Sequence, residues 1–324
     1  MRIFVLASMI YLVVALIVVF IRYPNLDEVL GQAIAVSSDN IGLVKGTAFW
    51  FLPVMLVLPF VLSWRDLKAR AVEVLCAAVG CVAVQVGFTL LKSSIPSMIP
   101  FYADPFFADL DKMLHGGREA WQLAHAAISP ATAQTILPVY LQIWSIPAMS
   151  LPVLIALSDR DPQRVLRFVI LFLFCWIGLG NVMATLASSV GPVFYDGLLG
   201  GSRYADLTMA LETSGVSAGT VGRIQHYLWT SYQANGLMFG SGISAFPSVH
   251  LGIATTTALY MWERSRLFLP VGLAFVGSIL FLSVYTGYHY AIDGYFSIMV
   301  MVVLWHLLRR WQANASWAKD TASA

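Results

Sequence analysis

The sequence predicts an all-α protein, a polytopic membrane helical bundle of about eight transmembrane helices, and three observations carry that prediction. Hydrophobic residues make up 59% of the 324 positions and charged residues only 11%, a balance outside the range of soluble domains. Eight apolar runs reach the roughly 20 residues that a helix needs to cross a hydrocarbon core about 30 Å thick. Strand-type alternation is absent, which argues against a membrane barrel. The net charge of +2 gives no support to nucleic-acid binding.

The runs fall near 3–22, 46–64, 71–91, 135–157, 165–188, 247–263, 267–286 and 291–308. The first begins after Arg2 like a secretory leader but continues through Phe20-Ile21-Arg22 without a small-residue cleavage site, so it reads as a retained helix. Pro147 and Pro152 are placed to kink the fourth. Cys76, Cys81 and Cys175 lie inside apolar runs without metal or disulfide spacing and read as packing residues. The two halves show no repeat of the kind expected of a transporter. The chain divides into two leading spans over 1–64, a six-helix core over 65–311 and a tail over 312–324.

Basic residues orient the bundle. With a cytoplasmic N-terminus, the short inner segments and tails hold twelve of the nineteen lysines and arginines, among them Arg70, Arg160, Arg164, Arg167, Arg264 and Arg266. The much longer outer segments hold seven. This satisfies the positive-inside rule and returns the C-terminus to the cytoplasm. Residues 92–134 and 189–246 then form long outer loops, and both of the histidines discussed next sit on the extracytoplasmic face. Proline and aromatic residues in 92–134 suggest a stretch lying along the headgroup layer.

Two stretches bear the chemistry: Ser244-Ala-Phe-Pro-Ser-Val-His250 and Tyr285-Thr-Gly-Tyr-His-Tyr-Ala-Ile-Asp293. Each sets a histidine at the lip of an apolar run, where ionisable groups are costly and usually functional. His289 and Asp293, four apart, share one face of a helix and can hydrogen-bond. Pro247 suits a first helical turn, and the amides of Ser248, Val249 and His250 would offer a phosphate cradle at a positive helix end. Phosphoryl transfer to an imidazole needs a nucleophile, an orienting carboxylate, a second acid and fixed positive charge. A lone histidine at an interface is more often a solvated cap, and a His/Asp pair can bind zinc. No third ligand is spaced for zinc, however, with His115, His125 and His226 scattered and His306 near the far end of the last run.

At these residues the chain resembles the type-2 phosphatidic acid phosphatase superfamily. Pro247-Ser248-Val249-His250 is similar to the family's Pro-Ser-Gly-His block with valine for glycine, and His289 to Asp293 is similar to the end of its third block. The resemblance implies that His289 becomes phosphorylated, that Asp293 orients it, and that His250 protonates the leaving group, with no metal and no cofactor. It covers about residues 70–311 as architecture and makes 65–311 a phosphatidic acid phosphatase-like bundle.

Two of the family's arginines are replaced: Ser283 stands six before His289, and Ile99 stands where the first block, beginning at Lys92, has arginine. Phosphate-binding candidates are therefore Lys92, Ser248, Val249 and Arg203, the last ranked ahead of Arg118, Arg223 and Lys112 because it follows a turn-rich stretch. Ala-Phe-Pro-Ser-Val-His with Tyr-His-Tyr-Ala-Ile-Asp resembles the inositol phosphorylceramide synthase branch most. That implies a phospholipid donor and a polyol or lipid alcohol acceptor. The absence of eukaryotic-type tails or glycosylation clusters points to a bacterial inner membrane. One alternative is a lipid phosphate or polyprenyl phosphate phosphatase. Another is a lipid-binding or translocating protein without catalysis, to which the replaced arginines would be natural.

Overall fold

A computed structural model describes residues 1–23, 68–234 and 240–322, with side chains through residue 315, and among these residues every regular element is helical. In chain order they are α1 (Arg2–Arg22), α2 (Ala71–Met98), α3 (Asp104–Leu114), α4 (Ala120–Ala127), α5 (Pro130–Ser158), α6 (Pro162–Leu186), α7 (Pro192–Leu199), α8 (Ala205–Thr213), α9 (Thr220–Gln233), α10 (Val249–Arg264), α11 (Leu269–Tyr285) and α12 (Ala291–Ala322). Six of them, α1, α2, α5, α6, α11 with the short turn ahead of it, and α12, are long and apolar enough to cross a membrane. The predicted polytopic bundle is the fold observed. The run near 46–64 lies outside the described residues.

The apolar run near 247–263 departs from expectation. It forms α10, only 16 residues long, which rises about 24 Å and falls short of a 30 Å core. Most of α10 is buried by protein: Leu251, Ile253, Ala254 and Thr256 are fully enclosed. Hydropathy alone does not distinguish a helix covered by lipid from one covered by its neighbours.

The expected outer loops are also largely helical. The first is entered by α2, which runs on to Met98 and carries Lys92 inside it. Pro96 lacks the N–H that would bond the Lys92 carbonyl one turn back. Gly242 approaches the helix there, so closely that a Cβ would lie 2.5 Å from the Lys92 carbonyl carbon and oxygen. Next, α3 opens on Asp104-Pro105, and α4 opens on a reciprocal capping box between Glu119 and Gln122. Phe107 and Trp121 are buried with Tyr204, Leu207, Tyr285 and Tyr290, and Phe107 stacks on Phe246 at 4.2 Å. These aromatics build a core layer over the bundle, where an anchor along the headgroups was expected. α7 to α9 fill the second loop.

Small residues let α1 join the bundle. The Phe4 and Tyr11 rings lie over Gly80 and Gly87 of α2, where a Cβ would come within 2.5 and 2.9 Å of them, a close helix approach of the kind favoured in membranes. The Tyr11 hydroxyl continues inward to donate to Asn181 of α6. Both α5 and α6 relax into π-helical turns, at Val139–Ile143 and Phe174–Met183. The first of these follows Pro138, and it turns Tyr140 and Trp144 toward α10.

The ends of α10 face different surroundings. At its C-terminal end Arg167 pairs with Glu263 and reaches Gln312, Arg164 and Arg264 engage Asp159, and Arg70 donates to the Ala156 and Asp159 carbonyls at 2.8 Å. The N-terminal end bears His250.

Candidate active site

The turn between α11 and α12 fixes His289. Its Nδ1 lies 3.1 Å from Asp293 Oδ2, and the same oxygen accepts the Tyr290 N–H at 3.1 Å. Asp293 is fully buried and His289 nearly so, so one carboxylate holds both the ring and the backbone beside it. The tautomer with Nδ1–H directed to the acid leaves the lone pair on Nε2. That nitrogen faces the Ser248 hydroxyl at 3.3 Å. Burial, and after it the Lys92 ammonium, press the imidazole well below its ordinary pKa, which favours the neutral, nucleophilic form.

Ser248 is the N-cap of α10, its hydroxyl accepting from the Leu251 N–H at 3.4 Å while its own N–H donates to the Asp293 carbonyl at 3.3 Å. The start of α10 is thus bonded to the start of α12. His250 follows one residue into the helix and is clamped between Trp144 at 4.0 Å and Tyr140 at 4.6 Å, both stacked on its ring. Trp144 Nε1 also donates to the His250 carbonyl at 3.0 Å. Its imidazole stands edge-on to that of His289, with centroids 5.9 Å apart.

Both histidines border a cavity of about 300 Å³. Aromatic and aliphatic groups dominate its wall, among them Phe88, Trp144, Trp176, Phe194 and Leu228, and Lys92, Ser244 and Val249 complete it near the rings. Lys92 Nζ lies 5.4 Å from the centre of the Phe88 ring. Among the described lining residues Lys92 is the single fixed cation, and none is a carboxylate. An apolar chamber with a few polar groups at one end has the form of a site for a lipid with a charged head.

The structure therefore brings together His289, Asp293, His250, Ser248, Val249 and Lys92. It does not bring Arg203 to them. That guanidinium is held by Asp109 at 2.6 Å and Glu119 at 3.1 Å, lies over the Tyr195 and Tyr204 rings, and is absent from the cavity wall. The turn-rich stretch that drew attention to Arg203 carries no information about the acids waiting on α3 and α4. Sequence reading also passed over Tyr140, Trp144 and Asp104. The aromatic pair sits inside an apolar run that reads as packing, and Asp104 sits at a Pro-rich helix start that reads as an anchor.

Residues 105–307, more than half of the chain, match the family described as the PAP2 superfamily. The chain belongs to the PAP2 superfamily. No curated protein and no solved structure matches it. PAP2 membership indicates a lipid enzyme of the phosphatase or phosphotransferase type, and the matched span, which begins just after Asp104, includes both histidines and Asp293. The six spanning helices make this PAP2 protein an integral membrane protein.

Proposed function

We propose that this protein is an integral membrane lipid phosphotransferase that moves a phospho-headgroup from a phospholipid to an alcohol through a phosphohistidine at His289. In the first half-reaction Nε2 attacks phosphorus, the bond to the lipid's ester oxygen breaks, and that oxygen takes a proton from His250. In the second, His250 accepts the proton of the incoming alcohol, the new P–O bond forms, and the P–N bond breaks to restore His289. Asp293 stabilises the positive charge that develops on the ring. The scheme uses no metal and no cofactor.

The observation that carries this reading is the charge of the cavity. A phosphodiester has one negative charge, which Lys92 balances. A phosphomonoester carries about −1.5 to −2 at neutral pH and would leave charge uncompensated in a mostly apolar chamber. Ser283, fully buried where the resemblance expects arginine, leaves the site short of the second cation. The His289 N–H donates to the Ser283 carbonyl at 3.3 Å, so the position adjoins the site. This favours transfer from a diester over hydrolysis of a lipid monoester.

We place the cavity on the extracytoplasmic side of a bacterial plasma membrane with both termini in the cytoplasm. Support comes from Arg70, Arg164, Arg167 and Arg264, which gather at the end of the bundle away from the histidines. The test is product analysis: purified protein is given a phospholipid diester, its monoester counterpart and a labelled lipid alcohol, and products are separated into free phosphate and new lipid. New lipid from the diester is expected. Free phosphate from the monoester alone would make the protein a phosphatase, and bound lipid without turnover would make it a carrier.

A further inference from the structure

The backbone segments that carry the two histidines are tied to one short turn, residues 188–191. The Tyr102 and Ala103 N–H groups donate to the Ser188 carbonyl at 3.2 and 3.1 Å. Ala245 N–H donates to the Ser189 carbonyl at 2.9 Å and Phe246 N–H to the Ser189 hydroxyl at 3.0 Å, just ahead of His250. On the His289 side, Gly191 adopts φ +88° and lies so near the Tyr288 carbonyl that a Cβ would come within 2.4 Å of its oxygen. Val193 N–H adds a bond to the Gly287 carbonyl at 2.9 Å.

One buried side chain holds that turn. Asp104 Oδ2 accepts the Val190 N–H at 2.8 Å, and Oδ1 accepts both the Gly191 N–H at 3.0 Å and the Tyr290 hydroxyl at 2.9 Å. Tyr290 is the residue after His289. Three donors converge on two oxygens, a demand that a carboxylate meets and a carboxamide, with one acceptor and one donor, does not. Asp104 is absent from the cavity wall.

We propose that Asp104 is a positioning residue that sets the separation of His250 and His289 by locking the 188–191 turn to Tyr290; the proposal rests on the roles assigned to the histidines above. A group well removed from the reacting atoms can act this way, because a misplacement of about 1 Å costs on the order of 100-fold in rate.

The test compares Asp104→Asn, Tyr290→Phe, the double variant and His289→Ala in the purified full chain, reading kcat, KM and unfolding temperature. Asp104→Asn is expected to lower kcat about 10- to 100-fold with KM changed by less than about threefold. Tyr290→Phe, which keeps the ring and removes one bond to Asp104, is expected to lower kcat by about three- to tenfold. The double variant should be no slower than Asp104→Asn, because both changes cut the same tie. A folded Asp104→Asn with unchanged kcat, or losses that multiply in the double variant, would overturn the proposal. Should Asp104→Asn not fold, Tyr290→Phe decides alone, and unchanged kcat there overturns it. Turnover surviving in His289→Ala defeats the histidine assignment and this proposal together, whereas an inactive His289→Ala beside a fully active Asp104→Asn defeats this one only.

Discussion

The His250 and His289 rings meet edge to face with centroids 5.9 Å apart, although one belongs to α10 and the other to the turn ahead of α12. The Ser248 N–H bond to the Asp293 carbonyl fastens those two helix starts to each other. A phosphorus atom bound at His289 Nε2 would thus have a second imidazole within reach of its leaving oxygen, and each partner in that arrangement makes a different prediction.

In the proposed mechanism His250 serves the leaving group. Replacing it with alanine should slow transfer from natural lipid donors, whose alcohol leaves poorly, by about 100- to 10,000-fold. A donor with a nitrophenol leaving group needs little protonation and should lose less than about tenfold. Equal losses on both donors in steady-state assays would show that His250 contributes packing between Tyr140 and Trp144 rather than a proton.

In the proposed mechanism Asp293 fixes the tautomer of His289. Asp293→Asn offers either an amide nitrogen or a carbonyl where the carboxylate accepts from both Nδ1 and the Tyr290 N–H. The expected loss in kcat is about 100- to 10,000-fold, with lipid affinity in an equilibrium binding assay unchanged within about threefold. Wild-type turnover in this variant would dissolve the pair.

In the proposed mechanism Lys92 supplies the charge that holds the phosphate. Lys92→Met keeps most of the side chain's length and should raise the Kd for an anionic lipid by about tenfold or more, a loss of a charge-assisted contact of about 1.5–3 kcal/mol. An uncharged lipid of the same tail should bind as before. Titrations in detergent with the two lipids separate these outcomes.

Acid should destabilise the fold through His289. Its pKa is lowered in the native protein by burial and then by Lys92, while the unfolded chain binds a proton near pH 6.5. The unfolded state therefore binds more protons below that pH, and this contribution to stability, complete above it, is lost as pH falls, by up to about 1.4 kcal/mol per unit. Thermal unfolding of wild type and His289→Gln between pH 7 and 4.5 should show the smaller acid loss in the variant. Parallel curves would mean that His289 is not held neutral.

The two ends of the site differ in how far the sequence announces them. His289 and Asp293 meet as their four-residue spacing suggests, but not on one helix as expected: α12 begins at Ala291, so His289 lies in the turn ahead of it and Asp293 in its first turn. Ser248 and Pro247 likewise mark a helix start by residue type. Lys92 enters the cavity because α2 continues through Pro96, a residue that ordinarily ends a helix and here leaves room for Gly242. The tie from Asp104 to Gly191 and Tyr290 depends on tertiary docking of α3, which no spacing encodes. Arg203 shows the converse: a charge is visible in the sequence, but the acids that claim it, Asp109 and Glu119, are identified only by the fold. The shortness and burial of α10 are hidden for a similar reason, since an apolar run looks the same whether lipid or protein covers it.

Trapping the covalent intermediate tests the central claim most directly. Protein mixed with a phospholipid labelled at phosphorus is quenched under alkaline conditions, digested and mapped for acid-labile label. The account predicts label on His289, which transfers to product lipid when the alcohol acceptor is added before quenching and is absent in His289→Ala. Label on another residue, or full turnover by His289→Ala, would contradict it.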